Sequence, residues 1–202
     1  MPQFWFGIFN VFSGQTLYDS IIYQLFNIFY TSCPIMIYAV IDKEFNPKIL
    51  MENNLNYYAQ GMNNALFNGK IFAKWLIYGA LYSLIITMFS VYSIDRNFIN
   101  EQGLTQEFWE SGFMIFGQCV LISNLKIMEF SHTFNMLSVI SIILSLIIYL
   151  VSILIVNTND LTSDLYAKIY PILRTPNFHF GNLLIAFSTC SVDIGYEMYR
   201  SN

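Results

Sequence analysis

Apolar residues run through this chain in long charge-free blocks, and nearly all ionisable side chains collect in the polar stretches between them. Ser20 to Ile41 is a block of 22 residues, Trp75 to Ile94 one of 20, and Ser111 to Leu125 one of 15 that extends back through Phe108 and Trp109. Phe130 to Asn159 runs for 30 residues with its apolar heart from Phe134 to Val156, and Thr175 to Val192 runs for 18. About 20 mostly apolar residues in a helix cross a hydrocarbon core about 30 Å thick. The pattern predicts an all-α polytopic membrane protein with five full transmembrane helices. Met1 to Phe12 is apolar but short. It reads as the tail of a further, partial helix, and Ser13-Gly14-Gln15 as the turn through which that helix forms a hairpin with the first full span.

Composition sharpens this picture. Hydrophobic residues make up 55% of the 202 and charged residues 11%, where a soluble domain carries about 25% charged residues. Lipid must therefore cover much of the surface. The net charge of -4 is scattered and forms no basic patch, which argues against a nucleic-acid partner. The first 18 residues are uncharged and the first basic residue is Lys43, so no secretory signal is read at the start. Cys33, Cys119 and Cys190 each lie inside an apolar run and read as small buried hydrophobes, at spacings that suit neither zinc nor a disulfide framework.

Basic residues give an orientation. One set of alternating loops, the 42–74 connector, the 126–133 turn and the C-terminus, holds six: Lys43, Lys48, Lys70, Lys74, Lys126 and Arg200. The other set, the 93–107 and 157–177 loops, holds three: Arg96, Lys168 and Arg174. The excess places the first set, with the C-terminus, in the cytosol. The Asn-rich stretch from Phe45 to Gly69 reads as a solvated loop with a short surface helix.

The run from Ser20 to Ile41 carries the most chemistry. Gln24, Asn27, Thr31 and Pro34 follow at intervals of three, four and three, which puts them on one face of a regular helix. Polar groups are costly against lipid, so that face should meet protein or water. Pro34 has no N–H and its ring collides with the carbonyl of Tyr30, which bends the helix and frees an acceptor. The stripe could line a substrate path or form a hydrogen-bonded seam between helices. Ser138, Ser141, Ser145 and Ser152 on a later span, and Gly79, Ser83 and Thr87 on an earlier one, are small-residue faces for close helix packing. Glu110, Glu129, Asp193 and Glu197 sit near span ends, where they reach water, and Lys126 snorkels. His132 and His179 are isolated, without metal-ligand spacing. No phosphate-binding loop or nucleophile motif occurs, so the residues imply neither a cofactor nor a metal bound by this chain.

Several segments resemble one family, the phospholipid flippases among the P-type ATPases. Phe9-Asn10-Val11-Phe12-Ser13-Gly14-Gln15 resembles that family's F-N-G-F-S-G-Q turn, with Val11 in place of the middle glycine. Leu25-Phe26-Asn27, Thr31 and Pro34 resemble its sixth-helix pattern L-Y-N…F-T…P. Phe67-Asn68-Gly69-Lys70-Ile71-Phe72 resembles the F-N-Y-K-V-F that opens the seventh helix, and Tyr82-Ser83-Leu84-Ile85-Ile86 its middle. Asn124-Leu125-Lys126 is similar to the N-L-K that ends the eighth helix. Thr175-Pro176-Asn177-Phe178 and Asp193 resemble the start and end of the tenth.

The resemblance covers the chain in family order and implies the C-terminal membrane part of such an enzyme. Residues 1–41 would be the end of the fifth helix, an exoplasmic turn and the sixth helix; 42–74 a cytosolic connector; and 75–202 the seventh to tenth helices. It implies a phospholipid substrate whose headgroup groove includes Asn27, with Gln24, Thr31 and Pro34 beside it. It implies, with weaker support, an exoplasmic mouth at Asn10, Ser13 and Gln15. The phosphorylated aspartate of D-K-T-G-T and the nucleotide-binding domain are not in these residues, so ATP and Mg²⁺ belong to an N-terminal catalytic half. The family also implies a two-span glycoprotein accessory subunit on the exoplasmic loops and the last helix. The stripe from Ser20 to Ile41 holds no carboxylate, which counts against cation transport. The other class of reading is a non-catalytic membrane scaffold with the same bundle.

Overall fold

The computed structural model describes residues 1–43, 67–93, 108–133, 135–158 and 169–201, with a few isolated positions between 48 and 64. The surface helix expected in the Asn-rich connector, and most of the 93–107 and 157–177 loops, lie outside them. The described residues are helical: α1 (Pro2–Phe9), α2 (Ser20–Leu25), a π-helical segment (Phe26–Tyr30), α3 (Ser32–Ile41), α4 (Gly69–Ser93), α5 (Phe108–Phe130), α6 (Met136–Thr158), α7 (Ile169–Arg174) and α8 (Pro176–Ser201). Four stretches are long and apolar enough to cross a membrane: Ser20–Ile41, Gly69–Ser93, Trp109–Phe130 and Met136–Thr158. The fifth expected span forms α8, whose 26 residues are long enough, but Asn177, His179 and Asn182 dilute its first half.

The shortest apolar run makes the central helix. Gly112, Phe113, Met114, Ile115 and Phe116 of α5 are all buried in succession. Phe113, Phe116 and Val120 face a core shared with Ile22, Tyr30, Tyr149 and Ile153. Met114, Ile115 and Ile122 face a second core shared with Phe6, Leu17, Ile86 and Ile185. Thus α5 separates a layer of α2, α3 and α6 from a layer of α1, α4 and α8. The hairpin expected between α1 and the first full span takes a different form. The Gln3 side chain bonds to the Gln15 carbonyl and to Leu17 N–H, at 3.2 and 3.1 Å. The helical packing of α1, however, is against α4, where Trp5 Nε1 donates to Ser83 Oγ at 2.9 Å.

Small residues set the close crossings, with one exception. Ser141, Ser145 and Ser152 are buried along α6, and Ser83, Thr87 and Ser90 along α4. Gly79 is exposed and has nothing within 4 Å of where a Cβ would lie. The glycines that matter were not on those faces. A Cβ on Gly112 would lie 2.1 Å from the Leu17 carbonyl oxygen, and one on Gly181 would lie 2.8 Å from Ser93 Cβ. Of the three cysteines expected to be buried, Cys33 and Cys119 are half-buried and Cys190 is exposed.

Two polar junctions clamp the first span to α5 and α6. The carbonyl of Tyr30, which Pro34 leaves without an N–H donor, accepts from Asn124 Nδ2 at 3.2 Å and from Ser145 Oγ. The Tyr30 hydroxyl pairs with Ser152. Below α3, Asp42 Oδ1 accepts from the backbone N–H of His132 and Thr133 at 3.0 and 2.9 Å and from Thr133 Oγ1 at 2.9 Å. The Thr133 amide first, with the Thr133 hydroxyl and His132 behind it, holds the Asp42 carboxyl below its ordinary value of 3.8.

Three outcomes follow from these contacts. Gly112→Ala drives a methyl into fixed backbone and should destabilise the bundle by about 1–3 kcal/mol, whereas Gly79→Ala should be tolerated; unfolding of the two variants in detergent compares them. Asn124→Leu and Ser145→Ala should each cost about 1 kcal/mol. Their combination should cost more than the sum, since only then does the Tyr30 carbonyl lose every donor. Adding Pro34→Ala, which restores an N–H within the helix, should recover part of that loss. A depressed carboxyl pKa stabilises above the unfolded value and loses that effect as pH falls through the folded one. The stability gap between the natural protein and Asp42→Asn should therefore be complete above the ordinary value of 3.8 and close as the pH drops beneath it, read from melting curves across that range.

Candidate functional site

Asp19 starts the first span. Its Oδ1 accepts from Ile21 and Ile22 N–H at 2.9 and 3.3 Å, which occupies two donors that the first turn leaves free. The helix then runs regularly to Leu25 and widens into the π segment from Phe26 to Tyr30. Thr31 leaves helical geometry, at φ -126 and ψ -31. Its hydroxyl reaches back five residues to the Phe26 carbonyl at 3.1 Å, and Ser32 Oγ bonds to the Ile28 carbonyl. Both hydroxyls satisfy carbonyls that an irregular turn would otherwise leave bare inside a membrane.

The widened turn divides the polar stripe. Gln24 and Asn27 are exposed on the N-terminal half of the span, while Thr31 and Pro34 are buried against the bundle. On a regular helix all four would face the same way. A π turn inserts one residue into the helical count, about 100° of rotation, so groups above it point elsewhere than groups below. The buried half of the stripe lies beside a hydrogen-bonded seam that Asn124 and Ser145 make with the Tyr30 carbonyl. The exposed half presents two neutral amides, each with donors and an acceptor, on a span whose exposed large side chains are otherwise Tyr23, Ile28, Phe29, Ile35, Met36 and Val40.

Asn10, Ser13 and Gln15 lie together in the turn after α1. Asn10 Nδ2 donates to Ser13 Oγ at 2.5 Å. With Gln3 and Gly14 these residues line an open cavity of about 600 Å³. Val11 and Phe12 have φ values of 51 and 53, in the left-handed region. That conformation costs a β-branched residue about 1–2 kcal/mol, and glycine adopts it freely, so Val11 occupies a position whose backbone suits glycine. Among the described residues no hydrogen bond joins this turn to Gln24 or Asn27.

One polar cluster was not anticipated as a unit. Lys126 Nζ on α5 pairs with Glu129 at 2.8 Å and with Asp193 of α8, and Asp193 accepts from the Tyr82 hydroxyl of α4. The Lys126 ammonium also lies 5.0 Å from the centre of the Tyr82 ring. The i,i+3 spacing of Lys126 and Glu129 was visible in sequence; Asp193 and Tyr82 reach the cluster only through the fold. In the other half of the bundle, Gln118 Nε2 on α5 donates to Asn182 Oδ1 of α8.

The whole chain, residues 1–202, matches the family described as phospholipid-translocating P-type ATPase C-terminal. It is 26% identical over 182 residues to the phospholipid-transporting ATPase DRS2 of Saccharomyces cerevisiae, covering 90% of this chain and 13% of that protein. It is 29% identical over 151 residues to the human phospholipid-transporting ATPase IH, covering 74% of this chain and 13% of that protein. A 103-residue stretch is 34% identical to the human phospholipid-transporting ATPase ID, 51% of this chain and 8% of that protein. The chain thus spans about a tenth of the length of these relatives. With its apolar helices and a match that runs from end to end, the chain belongs to the family of C-terminal membrane domains of phospholipid-translocating P-type ATPases.

Proposed function

We propose that this chain forms part of the lipid path of an ATP-driven phospholipid translocase, with Gln24 and Asn27 as headgroup contacts. The observation that supports this reading is the exposure of two amides on an apolar span. Such groups are not left against hydrocarbon, because unsatisfied amides there are costly. A phospholipid headgroup offers phosphate oxygens and polar substituents that neutral amides can meet with donors and acceptors, while its acyl chains stay in lipid. Thr31 and Pro34 form the closed end of the path, and Asn10, Ser13 and Gln15 its exoplasmic mouth. The remaining helices brace the path from the side of α5.

The energy comes from elsewhere in this reading. ATP and Mg²⁺ act in a catalytic half outside these residues. The 93–107 and 157–177 loops lie on the exoplasmic side and dock, with α8, a two-span glycoprotein subunit. The 42–74 connector and the C-terminus lie in the cytosol.

In a complete ATPase carrying this segment, Asn27→Ala should lower lipid-stimulated ATP hydrolysis about fivefold or more, the equivalent of roughly 1 kcal/mol of lost headgroup contact. Met36→Ala, on the exposed surface of the same span, should leave it unchanged. Equal rates for the two variants would remove the headgroup role and leave a scaffold. Cysteine labelling at positions 48 and 159 should occur from opposite sides of the membrane; labelling of both from one side would reverse the proposed topology. The chain alone, reconstituted in liposomes, should insert yet move no fluorescent lipid when ATP is added.

A further inference from the structure

Thr31 is buried and its hydroxyl is taken up by the Phe26 carbonyl, so it is poorly placed to meet a headgroup through its side chain. What it does hold is the turn. The Thr31 hydroxyl bonds to the carbonyl of Phe26, at the top of the π segment, across five residues. Thr31 itself is fixed from below. The Tyr30 carbonyl beside it is gripped by Asn124 and Ser145, the Tyr30 hydroxyl by Ser152, and the Thr31 carbonyl accepts Ile35 N–H at 3.3 Å. The lower half of the span therefore cannot rotate against α5 and α6 without breaking the seam.

The upper half has no comparable anchor beyond its packing and the Asp19 cap. Its direction relative to the lower half depends on whether the turn between them counts as π or as α. With the π turn, Asn27 and Gln24 face outward while Thr31 and Pro34 face inward. With a regular α turn the intervals of three, four and three bring all four to one side, and that side is the buried one. The difference is one residue of helical rotation, about 100°. The two registers thus present the amides or bury them.

We propose that Thr31 is a positioning residue, whose hydroxyl holds the π turn at Phe26–Tyr30 and so keeps Asn27 and Gln24 turned out toward the lipid path. This rests on the headgroup reading given above for Asn27 and Gln24, and adds that their direction is set from four and seven residues away. The hydroxyl is the active feature. Serine at position 31 retains the donor, whereas valine keeps the branched shape and loses it.

The test uses the complete ATPase carrying this segment, with reactive background cysteines replaced. A nitroxide is placed at position 27 or, as a control below the turn, at position 36, and its access to oxygen and to a soluble nickel chelate is measured. Lipid-stimulated hydrolysis is measured in parallel, without the label, on vesicles of different headgroup composition. Thr31→Val should lower access at position 27 about fivefold, the population shift expected for one lost hydrogen bond. Position 36 should not change, and Thr31→Ser should restore the first. The preference between headgroups should flatten in Thr31→Val and return in Thr31→Ser. No change at position 27, or equal changes at 27 and 36, overturns the positioning role whatever happens to hydrolysis. A shift confined to position 27 with headgroup preference intact upholds the positioning role and removes instead the reading of Asn27 and Gln24 as headgroup contacts.

Discussion

The carbonyl of Tyr30 is the point on which the bundle depends. A proline inside a membrane helix strips one backbone acceptor of its donor, and hydrocarbon offers no replacement. Here the donors come from two other helices, Asn124 of α5 and Ser145 of α6. The same local event therefore welds the first span to its neighbours. Hydrophobic burial drives little helix association in lipid, where the competing surroundings are equally apolar. Directional bonds of this kind, together with close-packed small residues, decide which helix lies against which.

The spans and the freed acceptor were legible in sequence because both follow from local rules. Apolar length gives the helices, and the covalent structure of Pro34 gives the bare carbonyl. The donors were not legible, since Asn124 and Ser145 lie 94 and 115 residues from Tyr30 along the chain. The polar stripe was legible as a set of residues but not as a shared face. A wheel drawn at 100° per residue assumes an unbroken helix, and the turn from Phe26 to Tyr30 breaks it. The pair Thr31-Ser32 shortly before Pro34 was the local signal, because hydroxyls that bond back to carbonyls tolerate such turns.

The weakest-looking span being the central one has a physical reason. Length and apolarity measure how well a helix suits lipid, and α5 meets little of it. Enclosed by α3, α4, α6 and α8, it can carry Gln118 and Asn124, whose amide nitrogens find acceptors, and Lys126, which finds carboxylates, and it can use Gly112 where a side chain would strike the Leu17 backbone. Its short charge-free run reflects the polar bonds it makes rather than a marginal place in the membrane. The outer helix α6 shows the converse, with serines along its buried face and Leu, Ile and Val elsewhere.

The last helix inherits a consequence from this division. Asn182 and Asp193 of α8 are costly to bring into a bilayer without partners. Their partners, Gln118 and Lys126, belong to a helix synthesised some sixty residues earlier. Biogenesis is thereby ordered. When α8 leaves the ribosome, the groups that admit it to the membrane are already waiting there. A nascent chain halted after Thr158 would display the Gln118 amide and the Lys126 ammonium without their partners on α8.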